Sequence, residues 1–178
     1  MLRTSAEIAY RTGDLELAEG DVRRGVEILK RIDDKGHLAS VAPDLARILL
    51  ADPGREKEAL DAAQLGEDVS IEDDVDAQVR GRAAKGRALF RLGDETEGER
   101  LVRDAVDRGW RTDYFKLRAI PLEALGEILR LSGRSDEAAE AFGRAIAVYE
   151  AKGDVVSANL VRRIAAPEAA GEPGRAPH

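Results

Sequence analysis

The chain of 178 residues contains no cysteine. That removes disulfide bridges, thiolate nucleophiles and cysteine-ligated zinc together, and it fits a reducing compartment, so the cytoplasm is the expected location. Histidine is nearly absent: His37 and His178 are the only two, and neither has a companion at ligand or triad spacing. A zinc site or a general base built on histidine is therefore not supported. No apolar run approaches the roughly 18 residues that a membrane span needs. The first 20 residues alternate charge with apolar positions instead of forming a signal-peptide core. Positive charge is in deficit, with 28 Lys and Arg against 35 Asp and Glu, a net charge of −7 and a pI near 5.0. A general electrostatic grip on nucleic acid or anionic membrane is thus not expected.

What is present is alanine, leucine and charge. Charged residues make up 35% and aromatics only 4%, a balance that suits long helices, so an all-α fold is expected. Among the basic residues 22 are Arg and 6 are Lys, the bias of a GC-rich bacterial genome. The organising stretch is 119–153, AIPLEALGEILRLSGRSDEAAEAFGRAIAVYEAKG. Leu122, Leu125, Ile128 and Leu129 fall on one face of a first helix; Ala138, Ala141, Phe142, Ala145 and Ile146 fall on one face of a second. A turn centred on Gly133 joins them, with Gly126 and Ala138 small where the axes would cross.

The same turn recurs at Gly13, Gly54 and Gly93, at spacings of 41, 39 and 40 residues. Five residues beyond each glycine stand Ala18, Ala59, Gly98 and Ala138; nine beyond stand Val22, Ala63, Val102 and Phe142; twelve beyond stand Gly25, Gly66, Ala105 and Ala145. Agreement at several offsets in four places marks an internal repeat. The pattern of bulky residue, Leu-Gly, bulky residue, then Ala and Phe resembles the tetratricopeptide repeat, although a period near 40 exceeds the usual one of roughly 34. The resemblance implies a right-handed superhelical array of about four antiparallel hairpins, at 2–31, 41–68, 72–109 and 113–151, with a capping helix at 154–165, all in one domain over 1–166. Expected helices are 2–12, 15–31, 41–51, 55–68, 72–92, 95–109, 113–131, 136–151 and 154–165. Asp14, Asp94, Ser135 and Asp154 are the expected N-caps, and Pro43 and Pro121 are expected near the first turns of their helices. The segment 167–178, rich in Pro and Gly, is expected to be a disordered tail.

The run 72–165, including EDDVDAQVRGRAAKGRALFRLGD, is similar to the C-terminal tetratricopeptide region of large bacterial signalling proteins. In those, a class III adenylate/guanylate cyclase domain and an AAA-type ATPase domain precede the helical array. The similarity implies a role in regulation and partner contact, within a longer parent protein, and carries over no catalytic residue.

Four local features could carry chemistry. On the helix after Asp76, Arg80, Arg87 and Arg91 are spaced 7 and 4 apart and share one stripe that faces no acidic residue of its own helix, with Phe90 beside it. Such a row on the concave surface can clamp a carboxylate or phosphate through bidentate forks. The blander alternative is a face compensated by Asp44, Asp52, Glu123 and Glu127 on neighbouring hairpins. The acidic run Glu72, Asp73, Asp74 and Asp76 reads as helix-start electrostatics, since it lacks the glycine and distant glutamate of a calcium loop. Gly81 and Gly86 have the spacing of a phosphate loop, but Arg87 and Ala88 follow where Lys and Ser or Thr belong. Trp110, Tyr114 and Phe115 cluster at one corner, as inter-hairpin core or as a partner hot spot.

The expected function is a non-catalytic protein–protein interaction scaffold, with no cofactor or metal, whose partner is a protein or peptide, an acidic one if the arginines engage it. Arg80, Arg87, Phe90 and Arg91 are the candidate partner-binding residues. The alternative is an effector-sensing helical array of a transcriptional regulator.

Overall fold

The computed structural model describes residues 2–166, so the expected tail at 167–178 lies outside the described residues. Within them the chain is all-α, with nine helices and no strand: α1 Leu2–Thr12, α2 Leu15–Arg31, α3 Lys35–Leu49, α4 Glu56–Val69, α5 Val75–Arg91, α6 Glu95–Trp110, α7 Phe115–Leu131, α8 Ser135–Ala151 and α9 Val155–Ala165.

Local chemistry explains the boundaries. Gly13, Gly93, Gly133 and Gly153 take positive φ and end the helices before them. The next amide then bonds five residues back, as in Asp14 N–H to Ala9 C=O and Asp94 N–H to Leu89 C=O, which satisfies carbonyls the helix end leaves open. Asp14, Asp94 and Asp154 then cap the following helix through their side chains. One further turn of this kind, between α2 and α3, carries no glycine: Asp33 takes φ 53° and Asp34 caps α3. Asp tolerates the left-handed region better than most residues, so this turn left no glycine signal and α3 begins at Lys35 instead of 41. Ser135 is not a cap; Arg134 holds that position without a side-chain bond and Ser135 starts α8.

The earlier start of α3 and the course of α7 place Pro43 and Pro121 inside helices instead of in their first turns. An interior proline gives no N–H to the carbonyl four residues back and crowds it. Those carbonyls, of Ala39 and Leu117, turn toward glycines on neighbouring helices. A Cβ built on Gly66 of α4 would lie 3.1 Å from the Ala39 oxygen, and one on Gly109 of α6 only 2.1 Å from that of Leu117. Glycine therefore lets the helices close over the irregularity.

Consecutive helices pack antiparallel, and α3, α5 and α7 also pack side by side as an inner row. Two apolar clusters fill the space between the helices. One joins α1 to α4 with Ala84 and Ala88 of α5; the other joins Ala83 and Phe90 of α5 with α6 to α9. Repeat positions nine beyond the turns, Val22, Ala63, Val102 and Phe142, are all buried, and the Phe142 ring lies against Gly126. The row curls until α1 touches α9.

Gly109→Ala is expected to lose about 1–3 kcal/mol because its Cβ meets backbone that cannot move aside. Gly143→Ala, on the open face of α8 with no atom within 4 Å, is expected to gain about 0.5–1 kcal/mol. Urea unfolding of the two variants checks both signs.

Candidate functional site

The inner face of the curl is lined by charge. Helical spacing puts Arg3, Glu7 and Arg11 on one stripe of α1, Asp44 and Arg47 on α3, Asp76, Arg80, Arg87 and Arg91 on α5, and Glu123 and Glu127 on α7. These side chains pair across the helices. Arg3 Nε bonds Asp44 Oδ2 at 2.8 Å, and Arg80 holds Asp44 Oδ1 at 3.2 Å and Asp76 Oδ1 at 2.8 Å. Glu7 is shared by Arg11, at 2.9 Å, and Arg47, while Lys116 Nζ approaches it at 3.7 Å. Glu127 Oε2 takes Arg87 and, at 3.2 Å, Arg91. Arg11 reaches furthest, donating to Glu123 at 3.1 Å and to the Tyr149 hydroxyl of α8 at 2.9 Å, while that hydroxyl donates to Glu123. Arg47 also lies over the Tyr10 ring at 4.3 Å.

Three of these pairs are separated by about one repeat. Arg3 and Asp44 are 41 residues apart; Glu7 and Arg47, and Arg87 and Glu127, are 40 apart. Counted from the turn glycines, Arg3 and Asp44 hold the same position in successive repeats, as do Arg87 and Glu127, while Glu7 and Arg47 are offset by one residue; each such pair carries opposite charge. That was the signal available in the sequence, hidden because charges vary in sign at a position where apolar residues would not. On the outer helices ion pairs also join successive hairpins, at separations of 36 and 35 residues: Arg55 forks onto Glu19 of the preceding hairpin at 2.6 and 2.9 Å, and Arg134 Nη1 bridges both oxygens of Glu99 at 2.8 and 2.9 Å.

Of the four candidate partner-binding residues, the fold brings three to the inner face. Arg80 and Arg87 are buried there and paired. Arg80 does have an acidic residue on its own helix, since Asp76 lies one turn away. Asp44 and Glu127 are the compensating acids; Glu123 serves Arg11 instead, and Asp52 only approaches Arg55 at 4.0 Å. Arg91 lies at the rim. Phe90 does not stand beside the arginines: it is buried between α5 and α6 against Gly98. At the other corner, Trp110 and Tyr114 are exposed, with Arg118 and Arg144 flanking the indole at 5.3 and 5.5 Å, and only Phe115 turns inward to meet Tyr149. Of the acidic run, Asp74 caps α5 by accepting from Ala77 N–H.

Two concavities open at the ends of this charged interior. At the N-terminal ends of α1, α5 and α7, about 370 Å³ is bounded by Arg3, Arg80 and Lys116 and balanced by Glu7, Asp44 and Asp76. At the C-terminal ends of α1, α3, α5, α7 and α9, about 500 Å³ is bounded by Arg87, Arg91, Arg130 and Arg163 against the single carboxylate of Glu127, with Leu15, Leu50, Leu160 and Ile164 as apolar wall. Sequence reasoning missed Arg130 and Arg163 because the contact between α1 and α9 that assembles this mouth lies outside the repeat. Arg91, Arg130 and Arg163 each donate to a main-chain carbonyl at a helix end, of Leu50, Ile164 and Arg11. These bonds use few of the five N–H donors that a guanidinium carries, so others remain for a ligand. Burial first, and the adjacent Arg87 guanidinium second, push the Arg91 pKa down.

Compared with protein-family models and with curated proteins, the chain matches none. Among the described residues no group of three or more His, Cys, Asp or Glu could hold a metal ion, and no helix is long and apolar enough to cross a membrane.

The carboxylates make stability acid-sensitive. Burial alone would raise the pKa of Glu7, but Arg47 and Arg11 outweigh it and hold the group well below its ordinary 4.5. Hydrogen bonds from Arg55 and then Arg23 outweigh partial burial and bring Glu19 to about 2. A depressed folded-state pKa contributes stability that is complete above the unfolded value and is lost as the pH falls toward the folded one. The melting temperature is expected to hold down to about pH 4.5 and to fall from there toward pH 2, and Glu7→Gln to lower it at pH 7 while shrinking the acid loss. Thermal circular dichroism at stepped pH reads both.

Proposed function

We propose that the protein is a non-catalytic interaction scaffold, a tetratricopeptide-like array of about four helix hairpins coiled right-handedly and serving as the regulatory part of a larger bacterial signalling protein in the cytoplasm. The reading is supported by the repeat of about 40 residues and by ion pairs spaced at that same interval. The observation that carries the partner's chemistry is the mouth with four arginines and one carboxylate. Its occupant is an acidic peptide segment whose carboxylates meet Arg91, Arg130 and Arg163 while its apolar side chains lie on Leu15, Leu160 and Ile164. A small carboxylate effector, as in a sensing array, has the same head-group chemistry, and the size of the mouth falls within that of small-molecule pockets.

Arg91→Ala combined with Arg163→Ala is expected to weaken binding of acidic peptides at least about tenfold, since each charge-assisted bond contributes roughly 1.5–3 kcal/mol, and to leave the helical circular dichroism unchanged. Calorimetric titration with an acidic peptide, its amide-substituted counterpart and a small dicarboxylate separates the two ligand classes. Equal peptide affinity in the double variant removes the mouth as the site.

A further inference from the structure

The outer helix of the first hairpin, α2, packs against α1 and α3, and among the described residues no helix packs on its far side. Along that side Asp14, Leu17, Asp21, Arg24, Ile28 and Arg31 follow one another at alternating steps of three and four residues, the spacing of a helix–helix seam. Leu17 and Ile28 are 49% and 40% exposed. Four residues beyond the turn glycine, where Leu17 stands, the later repeats carry Glu58, Glu97 and Glu137, so packing within the array does not call for leucine there. Glu19 and Arg23, on the adjoining face, are spent on Arg55 and Glu58 of α4. Asp21, Arg24 and Arg31 pair with no side chain among the described residues, and Asp14 uses only Oδ1 in capping α2.

Read from its two ends, the seam is the same with the charges exchanged: Asp14 mirrors Arg31, Leu17 mirrors Ile28 and Asp21 mirrors Arg24, about a midpoint between Val22 and Arg23. A two-fold axis at that midpoint sets two α2 helices antiparallel, so that each seam residue meets its mirror on the other copy. Four ion pairs and two contacts between Leu17 and Ile28 result. Parallel helices would instead set Asp on Asp and Arg on Arg. The equivalent positions of α4, Glu58, Ala62, Leu65 and Val69, have no such symmetry. We propose that α2 is the contact surface between two copies of this chain, paired antiparallel about a two-fold axis. The seam is about 25 Å long, short for a specific interface, so a dimer in exchange with monomer at roughly 10–100 μM is expected. None of the six residues lines the basic mouth, so the contact stands whatever that mouth binds.

Sedimentation velocity of the full chain across that concentration range is expected to show monomer passing to dimer. By symmetry each reversed charge alters two pairs, so Arg24→Asp and Asp21→Arg are each expected to weaken dimerisation at least about tenfold, with the helical circular dichroism unchanged. An equimolar mixture of these two variants restores opposite charges across the seam, as does the double variant Asp21→Arg with Arg24→Asp, and both are expected to recover the dimer. Leu17→Glu is expected to abolish it. A chain that stays monomeric throughout overturns the proposal. So does a dimer indifferent to the single reversals, or one that neither the mixture nor the double variant recovers.

Discussion

Opposite charges at or beside equivalent positions of successive repeats are the constraint on which the arrangement depends. A buried ion pair returns little net stability once both groups have lost their water, but a buried charge left without its partner is severely destabilising. The pairs Arg3 with Asp44, Glu7 with Arg47 and Arg87 with Glu127 therefore act on register: each is complete only when one hairpin stacks on the next with the offset seen here. Arg11 extends the rule across the curl, joining α1 to Glu123 of α7 and Tyr149 of α8. Every sliding or opening motion that parts these helices strands at least one charge.

Small residues make the constraint geometrically possible. Close approach at Gly86 and Gly98, whose built Cβ atoms would each lie 2.6 Å from the other's carbonyl oxygen, draws α5 against α6. Gly109 does the same for α6 and α7 over the carbonyl that Pro121 displaces. With its backbone held from both sides, α5 contributes to both apolar clusters and still turns four charged residues inward. Alanine and leucine supply the adhesion between layers, and the arginines and carboxylates supply its alignment.

A charged interior of this kind also limits where a partner can bind. The middle of the inner face is spent on internal pairs, so the available surface is at the ends, and the two ends differ. The one lined by helix N-termini is balanced; the one lined by C-termini carries surplus guanidinium. Positive charge at helix C-termini is favoured by the macrodipole, which explains why arginines gather there before any ligand is considered. The proposed binding role uses the donors that this capping leaves over.

Much of this was legible in one dimension. The all-α class, eight of the nine helix starts to within three residues, four of the six left-handed turn positions and the burial of Val22, Ala63, Val102 and Phe142 follow from periodicity and turn glycines, because those signals are local. The turn at Asp33 and Asp34 leaves no glycine signal since aspartate there does the work of glycine, and the interior places of Pro43 and Pro121 are accommodated by glycines on neighbouring helices. What the sequence by itself determined is a set of helices with a repeated apolar face. Which arginine meets which carboxylate, that Phe90 turns away from them, and that Arg130 and Arg163 join Arg87 and Arg91 at one mouth were decided only by the tertiary structure. The physical reason is range: a cap or an apolar stripe is set by residues a turn or two away, whereas an ion pair such as Arg11 with Glu123, 112 residues apart, exists only once the curl has brought its ends together.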